Sequence, residues 1–366
     1  MPQPSSPRFI QSTTELQSFC ELASHSPWLA IDTEFVREKT YYPELCLIQL
    51  ATEQGDIACI DTLAIDDLRP LFDLFANPAI TKILHAVSQD LEVLYQAGAP
   101  QIQPLFDTQV AAGLLGMADQ IGYAGLVEKL TGVTLAKGHA RTDWSRRPLS
   151  NEQLAYAADD VRYLGQLYSQ LTAQLDEQAR GDWLREDMQA ISQPANYEVD
   201  TSQIWRRLKG LGRLPAQAQH RAAKLAAWRE KQAIESNRPR RWILADAELL
   251  ELANQAPDSL AELQALPLHE KFIQRHAETI LPLLAEQESD QLLVKDWQKP
   301  SPEEKATQKR LKAKLREVAE QLEIGPALLA TRSDIEGLQQ GQRDLPVLRG
   351  WRKGVIGDAL LDALDS

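Results

Sequence analysis

Short apolar runs bounded by polar turns mark Trp28–Glu34 (WLAIDTE), Leu45–Thr52 (LCLIQLAT) and Asp56–Asp61 (DIACID) as strands. Their short connections predict an antiparallel meander. A helical stretch over Asp67–Ala76, a strand over Thr81–His85 and a helix over Ser88–Ala97 follow. Pro100–Pro104 then interrupts the pattern, and Asp107 stands where it can cap the helix after Phe106. A meander followed by alternating strands and helices predicts a mixed sheet covered by helices, an α/β domain. Asn151–Leu175 has no proline and one glycine and reads as a single helix. Ser192–Asp200, with Pro194, reads as a linker. Beyond it the patterning is helical throughout, over Gln217–Ile234, Asp246–Gln255, Ser259–Leu266 and His269–Leu284. Asn237–Pro239, Pro257 and Pro267 punctuate these segments. The stretch Lys299–Glu304 (KPSPEE) precedes further helices over Ala306–Leu322 and Gly354–Leu364. The expected organisation is an α/β domain over residues 1–195 and two small all-helical units over 205–290 and 304–366.

Composition narrows the class without naming a function. The chain has 366 residues, 43% apolar and 25% charged, which suits two or three ordinary globular domains. No run approaches the ~20 apolar residues of a membrane span. Met1–Ile10 is polar and proline-containing where a signal peptide has its apolar core. Cys20, Cys46 and Cys59 form no C-x-x-C spacing and are odd in number. That fits a reducing compartment and argues against a disulfide framework and cysteine-based zinc. A cytoplasmic, monomeric protein with no membrane partner is the expectation.

The net charge of −13 counts at first sight against a nucleic-acid partner. Its distribution removes the objection. Residues 1–200 carry 13 basic and 28 acidic side chains, a balance of −15, whereas residues 201–366 carry 26 and 24. Thr201–Ala245 alone holds 11 basic residues against Glu230 and Glu235, and Lys305–Arg316 adds six with no acid. Each basic stretch reads as a solvated helix face or as a phosphate-contacting surface.

The candidate chemistry lies in the acidic half. Asp32 and Glu34 stand two apart on a strand, so both side chains leave the same face, where like charges repel unless a cation lies between them. Asp90 borders the buried stripe of its helix, about 40° from Leu94. Ala157, Val161, Leu164 and Tyr168 form another helical stripe. Asp160 lies about 40° from Leu164, while Asp159, about 140° away, faces solvent. Tyr156 shares the face of Asp160, four residues on. Four carboxylates at the borders of packed structure can bind two hard divalent cations through oxygen, the arrangement that hydrolyses phosphodiesters. A tyrosine one turn before the last carboxylate could orient the attacking water.

At these residues the chain resembles the ribonuclease D family, in the DEDDy branch of 3′→5′ exonucleases. The motifs are Asp32-Thr33-Glu34-Phe35, Leu84-His85-Ala86 with Gln89-Asp90-Leu91-Glu92, and Tyr156-Ala157-Ala158-Asp159-Asp160-Val161. Asp107-Thr108-Gln109, Thr142-Asp143-Trp144 and Arg147-Pro148-Leu149 add to them, and the likeness spans roughly the first 190 residues. It implies an RNase H-like α/β exonuclease domain, a mixed sheet flanked by helices. Two divalent ions, Mg²⁺ or Mn²⁺, would be held by Asp32, Glu34, Asp90 and Asp160, with Tyr156 orienting water; none of the five is substituted. The implied activity is a 3′→5′ exoribonuclease releasing 5′-mononucleotides, with tRNA precursors and other structured RNAs as substrates. A DNA exonuclease would use the same carboxylates, and a nucleic-acid-binding scaffold with an idle nuclease domain is a different class again.

The basic half resembles a helicase-and-RNase-D C-terminal (HRDC) domain over Leu225–Ala233, Arg238–Asp246 and Leu249–Ala253. The last unit is similar to a second, divergent HRDC-like repeat. Such helical modules bind nucleic acid in their families. The expected RNA contacts are His85, Trp144, Arg146 and Arg147 near the site, and Arg206, Arg207, Lys209, Arg240 and Arg241 in the basic half. For His85 and Trp144 a packing role is an equal alternative, and Trp205, Trp228 and Trp242 are expected as core anchors.

Overall fold

Among the described residues six strands form one mixed sheet in the order β1–β4–β3–β2–β5–β6. The computed structural model describes residues 6–136, 138, 142–286, 289–294 and 301–365. The strands are β1 (Arg8–Ile10), β2 (Trp28–Val36), β3 (Glu44–Thr52), β4 (Ile57–Asp61), β5 (Thr81–Leu84) and β6 (Leu105–Asp107). β3 and β4 pair antiparallel, whereas β1 on β4, β5 on β2 and β6 on β5 are parallel. The mixed sheet is therefore as expected. The two three-residue strands, β1 and β6, are not legible in the sequence because so short a run displays no period. Cys46–Thr52 is buried at every position, the mark of a strand covered on both faces. Lys82, on β5, is also fully buried; its ammonium donates to the carbonyls of Asn77 and Ile80 at 2.8 and 2.6 Å and to that of Gln103.

The covering helices of this part are α1 (Thr13–Ala23), α2 (Arg69–Ala76), α3 (Ser88–Gln96), α4 (Thr108–Leu114), α5 (Tyr123–Thr131), α6 (Asn151–Arg162), α7 (Leu164–Glu177) and α8 (Gly181–Ile191). The segment read as one helix over Asn151–Leu175 is thus two. The cause is a side chain inserted into the hydrogen-bond ladder. In an unbroken helix the Tyr163 N–H would donate to the Asp159 carbonyl. Instead the Tyr123 hydroxyl donates to that carbonyl at 2.8 Å and accepts from the Tyr163 N–H at 3.4 Å. At the start of α7, Gly165 lies so close to the Trp28 indole that a Cβ there would collide with the ring. The absence of a side chain lets α7 press directly on β2.

Two compact units emerge from the packing: one of Met1–Val36, Leu45–Tyr197 and Pro300–Ser366, the other of Arg37–Glu44 and Glu198–Lys299. The expected linker Ser192–Asp200 is largely part of the first, with Tyr197 packed edge-on against Tyr95 at 5.3 Å. The second contains α9 (Ala216–Glu235), α10 (Arg240–Ile243), α11 (Asp246–Gln255), α12 (Leu260–Ala265) and α13 (Glu270–Ala285) around Leu225, Leu249, Leu252, Leu263 and Ile280. Trp205 and Trp228 pack against this core as expected. Trp242 does not; it is 56% exposed, because the single turn of α10 turns Leu244 inward and Trp242 outward.

Of the stretch Lys299–Glu304, the first two residues lie outside the described residues, and Ser301 caps the next helix. The C-terminal part holds α14 (Pro302–Leu322), α15 (Pro326–Leu329), α16 (Arg332–Gln339), α17 (Gly350–Arg352) and α18 (Asp358–Asp365). It joins the first unit through α8. Trp351 stacks on Trp183 at 4.4 Å, and Arg352 grips Asp187 with two bonds of 2.5 and 3.0 Å. Arg180 also donates to the Leu322 carbonyl at 2.7 Å. Among the described residues no helix is long and apolar enough to cross a membrane.

Candidate active site

Alternation along β2 turns Ile31 and Thr33 to a buried face and leaves Asp32 and Glu34 together on the other. α6 packs against β2 and brings Asp160 opposite them. Carboxylate oxygens of Asp32, Glu34 and Asp160 all lie within 4.8 Å of one another. Asp90, in the first turn of α3 and 8% exposed, stays outside this trio. Its charge nevertheless reaches both Asp32 and Glu34.

The electrostatics follow from that crowding. Burial, with repulsion from Asp90, Asp160 and Glu34, drives Asp32 well above the usual carboxylate range. Burial, then Asp160 and Asp90, pushes Glu34 up to about 8. Burial raises Asp160 and Asp90 to about 7 each, with Asp159 adding to the first and Asp107 to the second. Among the described residues no cation lowers Asp32 or Glu34 to offset this negative charge. A hard cation with oxygen ligands would, so the donor set fits a divalent metal. Tyr156, one turn before Asp160, is pushed up to about 12 by burial and by the same carboxylates, and so keeps its hydroxyl proton.

Three residues whose positioning role sequence reasoning did not reach hold this arrangement in place. The buried Thr33 hydroxyl donates to Asp90 Oδ1 at 2.6 Å and ties the second motif to the first. Asp107 caps α4 as expected, through Gln109 N and Val110 N. It also accepts from the N–H groups of Ala86 and Val87 at 3.0 Å each, bracing the turn that leads from β5 into α3. That turn carries Ala86 at φ 58°, a left-handed conformation that a residue with a Cβ adopts only when held there. Tyr123 breaks the helix beside Asp160, as described above. The D-T-E and D-T-Q motifs contain Thr33 and Asp107, but their partners stand 57 and 20–21 residues away. Removing such an orienting bond costs roughly 10–100-fold in metal affinity or activity. We expect Thr33→Val and Tyr123→Phe each to lower kcat within that range while thermal unfolding stays nearly unchanged; wild-type kcat in both would show that these bonds position nothing.

The other expected contacts divide. Arg146 is exposed and pairs with Asp143 at 3.0 Å. Arg206, Arg207, Lys209 and Arg241 are exposed in the second unit. Four others are engaged within the protein, which for Trp144 and His85 is the packing alternative that the sequence left open. Trp144 is 2% exposed and lies over Tyr156 at 6.4 Å, so it supports the tyrosine and offers no face to a base. His85 donates from Nε2 to the Ile121 carbonyl at 3.1 Å, and its Nδ1 shares a hydrogen with the Thr108 hydroxyl at 2.9 Å. Neither nitrogen remains for a phosphate. Arg240 pairs with the fully buried Glu230 at 3.1 Å, and the Tyr41 hydroxyl donates to the same carboxylate. Arg147 spends its guanidinium on Asp61, at 2.6 and 2.8 Å, and on the carbonyls of Cys46, Trp144 and Arg146. Asp61 is 1% exposed, so Arg147→Ala would strand a buried charge at a cost of about 3–5 kcal/mol. Chemical denaturation would reveal that loss; an unchanged midpoint would return Arg147 to the RNA path.

Comparison with known proteins fits the geometry. The 3′–5′ exonuclease family matches residues 7–176 and the HRDC domain family residues 218–284. Ribonuclease D of Jannaschia sp. is 39% identical over 97% of this chain and 94% of its own length. Ribonuclease D of Granulibacter bethesdensis is 38% identical, with coverage of 97% and 92%. The chain belongs to the ribonuclease D family. The crystal structure of Escherichia coli RNase D, described as an exoribonuclease involved in structured RNA processing, superposes with a TM-score of 0.89. That likeness covers 99% of each chain at 32% identity. As a ribonuclease D relative with an exonuclease and an HRDC domain, the chain is a 3′→5′ exoribonuclease acting on nucleic acid.

Proposed function

We propose that this chain trims the 3′ ends of structured RNAs such as tRNA precursors, releasing 5′-mononucleotides at the Asp32–Glu34–Asp160 cluster. The convergence of those three carboxylates within 4.8 Å is the observation that carries the reading. Asp32, Glu34 and Asp160 would hold one divalent ion, Mg²⁺ or Mn²⁺, and Asp90 with Asp32 would serve a second. Bound there, such ions would supply the positive charge that favours an ionised water and a departing 3′ oxygen. Glu34 and the protonated Tyr156 hydroxyl hold the water in line with the terminal phosphodiester. The Trp144 ring lies alongside that of the tyrosine, with centroids 6.4 Å apart. Water adds to phosphorus, the bond to the 3′ oxygen breaks, and the shortened RNA leaves with a free 3′ hydroxyl.

The reading also assigns the organisation. Residues 1–195 form the exonuclease domain, 205–290 an HRDC domain and 304–366 a divergent HRDC-like module. Arg146, Arg206, Arg207, Lys209 and Arg241 contact phosphate and supply affinity without sequence choice. One copy supplies every carboxylate, so a monomer suffices. Three free, buried cysteines suit the reducing cytoplasm. The test is digestion of matched 5′-labelled RNA and DNA, including a tRNA with a 3′ extension, in Mg²⁺ or Mn²⁺. Stepwise shortening of the RNA from its 3′ end, arrested near the mature tRNA terminus, is expected. DNA degraded as readily as RNA, or an untouched 3′ extension, would overturn the substrate assignment.

A further inference from the structure

The C-terminal helices are seated on the exonuclease part where α4 leads into α5. Arg180 bridges the two: Nη1 donates to the Leu114 carbonyl at 2.5 Å and Nη2 to the Leu322 carbonyl at 2.7 Å. Leu114 ends α4 and Leu322 ends α14, so one guanidinium serves two helix C-termini whose partial negative charges would otherwise repel. Just past each terminus the backbone is left-handed, with φ 73° at Gly116 and 56° at Glu323. These two residues meet: a Cβ on Gly116 would overlap the Glu323 carbonyl oxygen, so only glycine permits so close an approach. At α8 the same helices are anchored by Trp351, which donates from its backbone N–H to Glu186 and from Nε1 to Asp187, each at 3.0 Å. Arg352, also on Asp187, donates in addition to the Leu328 carbonyl at 3.0 Å.

The connection from α4 to α5 leads directly into the site. At its far end the Ile121 carbonyl accepts from His85 Nε2 at 3.1 Å and from Gln109 Nε2 at 3.0 Å. Tyr123 follows, its ring 5.7 Å from that of His85 and its hydroxyl between the Asp159 carbonyl and the Tyr163 N–H. Irregular backbone tied at one end to the C-terminal helices and at the other to the ladder beside Asp160 passes a displacement from one to the other. We propose that the C-terminal helices brace the active site: Arg180 and the Gly116–Glu323 contact fix the connection, and the connection holds Tyr123 in place beside Asp160. Arg180 is therefore a positioning residue for the hydrolysis. It contributes no group to the carboxylate cluster and acts through Tyr123. A misplacement of about 1 Å caused far from the chemistry can cost ~10²-fold in rate, so losing the brace has a measurable effect. The inference rests on the placement of Asp160 in the proposed metal-binding site.

The test compares full-length variants on a single-stranded RNA in Mg²⁺. Arg180→Met keeps an apolar stem beside Trp183 and removes every donor; kcat should fall about tenfold or more, with KM nearly unchanged. Arg180→Lys, whose ammonium can donate to both carbonyls, should retain most of the rate. Added to Tyr123→Phe, Arg180→Met should cost little more, because both changes act on the same bond. Hydrogen exchange in chelator gives a readout independent of turnover: the Tyr163 amide and residues 115–123 should exchange faster in Arg180→Met, and β2 and β5 at the wild-type rate. Arg352→Gln, which loosens the same helices at Asp187, should release the connection as well. Wild-type kcat in Arg180→Met, wild-type exchange over 115–123 in both single variants, additive losses in the double variant, or faster exchange throughout the sheet would refute the proposal. Hydrolysis that survives Asp160→Asn would overturn the site on which the inference rests. Hydrolysis that requires Asp160 but is unmoved by Arg180→Met would overturn the brace alone.

Discussion

Asp160→Asn should lower kcat for RNA hydrolysis by about 10³-fold or more, yet leave the chelator-treated protein as stable as wild type or more so. A cation's stabilisation of transition-state charge amounts to several kcal/mol, and each 1.36 kcal/mol is tenfold in rate. The amide keeps the shape of the carboxyl and loses the charge that recruits the ion. The stability half of the expectation has the opposite sign from most substitutions of half-buried residues. Asp160 titrates at about 7 in the fold because burial and Asp159 oppose its ionisation, against ~3.9 in an unfolded chain. Above that unfolded value its charge works against folding, and asparagine removes the penalty. Asp159→Asn is the control beside it. Its carboxylate is 40% exposed and bonded to Arg162 at 2.7 Å, so the change should cost less than about fivefold. Single-turnover hydrolysis and thermal unfolding in chelator check both halves. Equal effects at the two positions would mean that Asp160 is not a ligand.

Why Asp160 and not Asp159 was legible in the sequence, while much of its support was not, is a matter of range. The separation of the two aspartates follows from helical period alone, and the pairing of Asp32 with Glu34 from strand period. Both are local geometry. Asp90 could be assigned to the edge of its helix, but not to a position just outside the trio, because that depends on how β5 and α3 are braced by Asp107. Tyr123 could not be read as a helix breaker at all: the hydroxyl that interrupts the ladder comes from 36 residues upstream. The same limit explains the corrected contacts. Arg147 sits beside Arg146 in a basic pair that looks free, yet its partner Asp61 lies 86 residues earlier on a strand end. Arg240 and Arg241 are indistinguishable by composition, and only the buried Glu230 separates a structural arginine from an exposed one. Trp242 shows the converse, since a tryptophan in a helical domain is expected inside unless its turn is too short to cover it.

In chelator, stability should fall as pH rises from about 4 to about 8, and added Mn²⁺ should restore more of it the higher the pH. The sign follows from proton counting. Asp90 and Asp160 hold their protons to about 7 and Glu34 to about 8 in the fold, with burial the largest cause in each. In an unfolded chain carboxyls release theirs near 4. Between these values the folded state binds more protons, so stability decreases with pH. The contribution of these groups is fully present below about 4 and is lost as pH passes through 7 and 8. A cation that needs the ionised carboxylates displaces those protons on binding, so its affinity must rise over the same window. A stabilisation of several kcal/mol at pH 8 corresponds to a gain on the order of 10 °C in Tm for domains of this size, shrinking toward zero near pH 5. Melting curves with and without Mn²⁺ across that range provide the measurement. The Asp32→Asn, Asp160→Asn double variant isolates the site from the rest of the chain's carboxylates: its melting temperature in chelator should vary less with pH, and Mn²⁺ should leave it unmoved. A metal-induced gain that is flat with pH, or that survives in the double variant, would mean the ion binds elsewhere.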